Sequence, residues 1–175
     1  MNNQTSNRLK TVHLTQAAII AALYIVLTFL ANALGLANYV VQIRFSEALT
    51  ILPYFTATAI PGLFIGCLLS NILTGCAIPD IIFGSIATLI GAIGAWIIGK
   101  AARNSRHETL FAILATLPNV IANTLIVPWV LKFAYGATEA VPFMMMTVGI
   151  GEFIASTLLG TIVILAFRKN FKMLK

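Results

Sequence analysis

The residues of this chain that could do chemistry are few, and they sit where polar groups are costly. Among its 175 residues only five are acidic, and three of these, Glu47, Asp80 and Glu152, fall in or beside long apolar stretches. Arg44 and the amides Asn119 and Asn123 fall there too. An ionisable group at membrane depth costs at least about 2.5 kcal/mol, so it is retained where it faces a cavity, a partner or a ligand. Carboxylates, a guanidinium and amides supply charge and hydrogen bonds, the chemistry of binding. No phosphate-cradling G-x-x-x-x-G-K-[ST] run, His-rich metal set, or nucleophile and base at recognisable spacing accompanies them. Cys67 and Cys76, nine positions apart, lack zinc-site spacing and read as small helix-packing residues. His13 and His107 lie at polar ends, where a solvated or headgroup-facing imidazole is expected. Neither catalysis nor a resident metal or cofactor is expected.

Two readings stand for each polar cluster. Arg44 and Glu47 are three residues apart, so a helix brings them onto one face, as an ion pair fixing an outer loop or as ligand contacts. Asp80 follows Pro79 at a helix start, where the helix dipole favours an acid, or it is available to a substrate. Asn119 and Asn123 share a helix face, near Pro118 and Pro128, which free backbone carbonyls. Glu152 lies deep in the run from Phe143 to Phe167. Counted from the basic ends of their segments at helical rise, Glu152 and Asn123 both lie roughly 21–23 Å up, at one level. A buried structural hydrogen bond would account for them, but the cost of burying Glu152 weighs toward a ligand partner. Trp129, Tyr39, Tyr54, Tyr135 and Phe143 lie toward the outer ends, the usual depth of interface anchors. Trp129, about one and a half turns above Asn123, is the best candidate among them to stack on a ligand.

Composition dictates the elements that must hold these groups. The chain is 59% hydrophobic and 9% charged, against about 25% charged in a soluble chain, so its charged residues cannot cover a soluble globule. The net charge of +6 does not suit nucleic acid, because the basic residues lie between apolar segments rather than on one face. Spanning helices of about 20 residues fit residues 11–34, 43–59, 60–75, 79–99, 109–131 and 141–167, one integral membrane domain over 1–175. The first apolar run has spanning length and no small-residue cleavage site, so it is expected to be a helix and not a signal peptide. Arg8, Lys10, Lys100, Arg103, Arg106, Arg168, Lys169, Lys172 and Lys175 supply nine of the eleven basic residues, at the two ends and in the one polar gap. The positive-inside rule assigns all three places to the cytoplasm, which requires an even number of crossings between each pair. Four plus two satisfies it. A single broken helix over 43–75 would make the first count odd.

Small residues indicate where helices meet. Ala17, Ala18, Ala21 and Ala22 form two overlapping A-x-x-x-A pairs that permit close backbone approach, either within the bundle or to a partner. Gly84, Gly91, Ala92, Ala95 and Gly99 form a second seam, read as internal packing.

Three stretches carry a family resemblance: V-Q-I-R-F-S-E-A-L-T-I-L-P from Val41 to Pro53, G-C-L-L-S-N-I-L-T-G-C from Gly66 to Cys76, and D-I-I-F-G-S-I-A-T-L-I-G-A from Asp80 to Ala92. They resemble the QueT family, substrate-binding (S) components of energy-coupling factor (ECF) transporters. The resemblance covers most of the chain. It implies a six-helix, multi-pass protein of the cell membrane with both termini cytoplasmic. It also implies import of queuosine precursors, small 7-deazaguanine bases, driven by a separate membrane scaffold subunit and two ATPase subunits. S components use alanines spaced four apart on the first helix to dock on the scaffold, and Ala17, Ala18, Ala21 and Ala22 stand where that motif would be. The residues that hold the base do not carry over, so Glu152, Asn123, Asn119, Trp129, Arg44, Glu47 and Asp80 are chosen on physical grounds. A guanine-like edge offers N–H donors and a carbonyl, which a carboxylate and an amide can meet. The alternatives are an S component for another vitamin-like substrate, or a stand-alone ion-coupled secondary transporter of a small polar solute. The latter often carries an internal repeat, and none is evident between the two halves.

Overall fold

The structure, a computed structural model, describes residues 3–36, 41–102 and 105–171, with side chains for those between 8 and 166. Tyr39, Arg103, Lys172 and Lys175 lie outside the described residues, as do the side chains of Arg168 and Lys169. The described residues are helices and turns: α1 (Asn3–Ala33), a 3₁₀ helix (Phe45–Tyr54), α2 (Ala59–Leu73), α3 (Ile78–Ala102), α4 (Glu108–Leu114), α5 (Leu117–Ala134), α6 (Val141–Glu152), a π-helical segment (Phe153–Leu159) and α7 (Gly160–Phe171). Four stretches are long and apolar enough to cross a membrane: Arg8–Ala33, Ile78–Ala102, Glu108–Ala134 and Val141–Ala166. Ala59–Leu73 is a shorter apolar helix.

Turn chemistry sets the ends. Pro79, Pro118 and Pro142 stand in the first turns of α3, α5 and α6, where the missing N–H leaves no helix bond unmade. Gly35 and Gly75 follow α1 and α2 with φ of 74° and 73°. They close each helix with paired bonds, Leu36 N to Ala31 O and Gly35 N to Asn32 O, then Cys76 N to Asn71 O and Gly75 N to Ile72 O.

The chain alternates between two faces of the bundle. His13 Nδ1 lies 3.2 Å from Thr58 Oγ1, and Tyr54 donates its hydroxyl to Glu108 O at 3.1 Å, so the start of α1, the turn before α2 and the start of α4 share one face. Arg8, Lys10, Lys100 and Arg106 lie at that end of their elements, which makes it the basic face, and Tyr54, expected toward the outer ends, stands on this face instead because the 3₁₀ helix runs inward to it. On the opposite face Ile43 N donates to Leu36 O at 3.1 Å, and Ala77 N donates to Tyr135 Oη at 3.0 Å. Six helical segments fit this path.

The second of them differs in kind from the expectation for 43–59. It is a ten-residue 3₁₀ helix, about 20 Å long at its rise and short of the roughly 30 Å hydrocarbon core. Seven of its residues are buried, packed between α1, α3, α7 and the π segment, so it is a central element sheathed by helices. Its polar residues require this, because lipid offers no hydrogen-bond partner. Ser46 accepts from Thr28 Oγ1 at 2.9 Å, and Thr50 Oγ1 lies 3.0 Å from Ser156 Oγ.

The small-residue seams are contacts between these layers. A Cβ on Gly91 would stand 2.6 Å from Asn119 Cα, so α3 and α5 touch there only because the glycine is bare. The alanine stripe divides. A Cβ on Gly62 would stand 2.7 Å from Ala17 O and one on Gly66 3.1 Å from Ala21 Cα, so Ala17 and Ala21 pack against α2. Ala18 and Ala22 are exposed.

Candidate ligand-binding site

A cavity of about 590 Å³ opens among the ends of α1, α2, α3 and α5 on the face opposite the basic residues. Small-molecule pockets occupy about 300–1,000 Å³. Its wall is polar: Asn32 from α1, Gln42 and Arg44 from the segment before the 3₁₀ helix, Asn71 and Thr74 from the end of α2, Asp80 from α3 and Tyr135 beyond α5. Tyr135 ties two of these elements together, accepting from Ala77 N and donating to Asp80 Oδ2 at 2.9 Å. Burial, opposed by the Ala77 N–H and reinforced by Asp80, holds the Tyr135 phenol above its ordinary range, so it remains a donor. Asn71 Nδ2 turns toward Asp80 O at 3.5 Å, joining the end of α2 to the start of α3.

A second, buried cluster lies one turn further into the bundle. Thr28, Arg44 and Val127 line the cavity, and three or four residues inward on the same elements stand Tyr24, Glu47 and Asn123. Four residues of α-helix span about 6 Å. Glu47 is 2% exposed. It accepts from the Tyr24 hydroxyl on one oxygen and from Asn119 Nδ2 at 2.9 Å on the other. The same Asn119 nitrogen donates to Glu152 Oε2 at 3.2 Å, so one amide joins two carboxylates from different elements. Asn123 Nδ2 reaches Asn119 O at 3.1 Å and Asn119 Oδ1 at 3.3 Å, which fixes the direction of the bridging amide. Glu152 stands at the junction of α6 with the π segment, a helix form that recurs at functional sites.

Of the residues chosen from the sequence, Glu47, Asn119, Asn123 and Glu152 thus form one hydrogen-bonded group, while Arg44 and Asp80 lie above it on the cavity wall. Arg44 and Glu47, read from their spacing either as an ion pair or as ligand contacts, do not share a helix face: Arg44 precedes the 3₁₀ helix in extended backbone, and Glu47 turns inward to Tyr24 and Asn119. Trp129 belongs to neither group. It is 48% exposed, stacks on Phe133 at 6.1 Å, and lines an apolar groove with Pro79, Phe83 and Leu125. Six residues beyond Asn123, it is turned about 120° round the helix from that side chain. Sequence reading passed over Tyr24 and Asn71. Each is a polar group inside an otherwise apolar helix, a signal open to the same cost argument as Glu152.

The chain matches the family model described as QueT transporter over residues 14–169. It is 35% identical over 81 residues to a protein of Lactococcus lactis subsp. cremoris (strain MG1363) described as queuosine precursor transporter QueT. That alignment takes in 46% of this chain and 47% of the relative, so the chain spans about half the length of the curated relative it matches. No solved structure matches it. A family match over most of the chain, on a helical bundle with several membrane-length apolar helices and a polar cavity, identifies the class: this chain belongs to the QueT transporter family.

Proposed function

We propose that this protein is the substrate-specificity subunit of an ECF-type importer of the cell membrane, and that it takes a queuosine precursor, a 7-deazaguanine base, from outside. The observation that carries the reading is the polar cavity on the face opposite the basic residues, seated one turn above buried carboxylates. The positive-inside rule makes the basic face cytoplasmic, so the cavity faces outward. Arg44 and Asp80 contact the ligand from the wall, and the Glu47, Asn119 and Glu152 group forms the floor. A base with N–H donors beside a carbonyl is complementary to carboxylate, amide and guanidinium groups.

A bundle with no nucleotide-binding motif takes its energy from elsewhere. In this reading a scaffold subunit docks on exposed Ala18 and Ala22 of α1, and two ATPase subunits drive release. Mass spectrometry of the small molecule that co-purifies with the protein tests the substrate: a 7-deazaguanine is expected, and a vitamin or amino acid would overturn the assignment. Uptake by vesicles without an ion gradient should require the ATPase partners. Uptake driven by a gradient in their absence would make the protein a stand-alone secondary transporter.

A further inference from the structure

We propose that Glu47 and Glu152 hold one proton between them, resting on Glu152, and that this proton site beneath the cavity links ligand affinity to pH. The link rests on the binding reading above, whereas the proton site stands without it.

The geometry crowds two acids onto one donor. An amide nitrogen has two hydrogens, and Asn119 Nδ2 gives one to Glu47 Oε2 at 2.9 Å and the other to Glu152 Oε2 at 3.2 Å. The two carboxyl oxygens therefore lie within about 6 Å of each other, where like charges disfavour each other's ionised form. Asn123 Nδ2 holds the oxygen of the same amide, so Asn119 cannot turn to relieve them. Glu47 has the better hold on the negative charge, because it also accepts from the Tyr24 hydroxyl. Glu152 accepts from Asn119 alone among the described residues. Hydrogen bonds to a carboxylate favour its charged form, so the proton falls to Glu152.

The surrounding charges leave this division in place. Arg44 is the one cation on the cavity wall among the described residues, and Asp80 attracts it more strongly than Glu47 does. At Glu152 the repulsion of Glu47 outweighs the attraction of Arg44. The other titratable groups that act on Glu47 are Tyr24 from α1 and Cys67 from α2, and neither supplies positive charge. Toward the pair α5 presents the amides Asn119 and Asn123, the π segment and the described side chains of α7 include no titratable group, and α3 carries Asp80 and Lys100 near its two ends. Loss of the proton would set two carboxylates on one amide and drive the 3₁₀ helix and the end of α6 apart, one turn below the cavity wall. Ligand affinity therefore falls as the medium becomes alkaline, and by reciprocity a bound ligand makes the site hold its proton more tightly.

Infrared spectroscopy of the purified chain tests the proton site without ligand. At neutral pH the wild type should show the C=O stretch of a protonated carboxyl, and Glu152→Gln should lack it. Rising pH should remove the band, and Glu47→Gln, which takes away the repelling charge, should lower the pH at which it goes. Absence of the band, its persistence in Glu152→Gln, or an unlowered midpoint in folded Glu47→Gln would overturn the proposal. Calorimetric titration with a 7-deazaguanine base, at one pH below and one above the loss of the band, tests the link. The ligand's own titration affects both proteins, so the wild-type affinity should fall more than that of Glu152→Gln, by roughly five- to 150-fold, the usual span of coupling between two sites. Equal pH dependence in the two proteins would overturn the link. No binding at either pH would overturn the binding reading and leave the band to decide the proton site.

Discussion

A carboxylate that takes a phenol on one oxygen and an amide on the other cannot become an amide without turning N–H toward a donor. Glu47 is such a group. Glu47→Gln should therefore lower stability by about 1–3 kcal/mol, the cost of an unmet buried polar group, and appear as a reduced Tm of the detergent-solubilised protein. An unchanged Tm would mean that the cluster carries no structural burden. Glu152 has a different standing, because among the described residues it accepts one hydrogen bond, from Asn119, and Gln keeps an acceptor oxygen, so Glu152→Gln should cost less in Tm than Glu47→Gln. At this scale the sequence was legible through cost alone. Glu47, Asn119, Asn123 and Glu152 are conspicuous because lipid cannot satisfy them. Their partners were not legible, since Tyr24 reaches Glu47 across 23 positions and Asn119 reaches it across 72, separations that no helical spacing encodes.

At the scale of elements, bare backbone decides which helices may touch. Gly91→Ala would press a methyl against Asn119 Cα and Oδ1, and overpacking of this kind costs about 1–3 kcal/mol, more than the roughly 1 kcal/mol gained in helix propensity. A lower Tm is expected, and an unchanged or raised one would show that α3 and α5 can part freely. On α1 the two alanine pairs should separate in behaviour. Ala18→Leu with Ala22→Leu should spare ligand binding by the isolated protein and abolish uptake in the reconstituted importer. Ala17→Leu with Ala21→Leu should destabilise the protein itself, because those residues meet α2 at Gly62 and Gly66. Loss of ligand binding in both pairs would make the whole stripe internal. The four long helices were readable from apolar length. The 3₁₀ helix was not, because a buried segment and a short spanning segment are alike in hydropathy. The distinguishing marks are Ser46, Glu47 and Thr50 within ten residues, with Pro53 near the end, a pattern that needs protein on every side.

For the whole molecule the claim is a bundle with a basic cytoplasmic face and a cavity on the outer one. Native Cys76, on the cavity wall, should react with a membrane-impermeant maleimide added to intact cells. A Ser105→Cys variant lacking Cys76 should react only after the cells are opened, and the reverse pattern would invert the topology. The sequence predicts an orientation from nine basic residues at three places, which the labelling tests, while the cavity was not legible, because its wall draws on four helices and a turn that meet only in the fold. The measurement that bears most directly on the central claim is calorimetric titration of the purified chain with 7-deazaguanine precursors, run beside Val127→Trp, which fills the cavity from α5 one turn above Asn123. Saturable one-to-one binding by the wild type, lost in the variant while its Tm is kept, is the expected result. Undiminished affinity in a folded Val127→Trp protein, or no binding by the wild type, would contradict the assignment of the cavity as the substrate site.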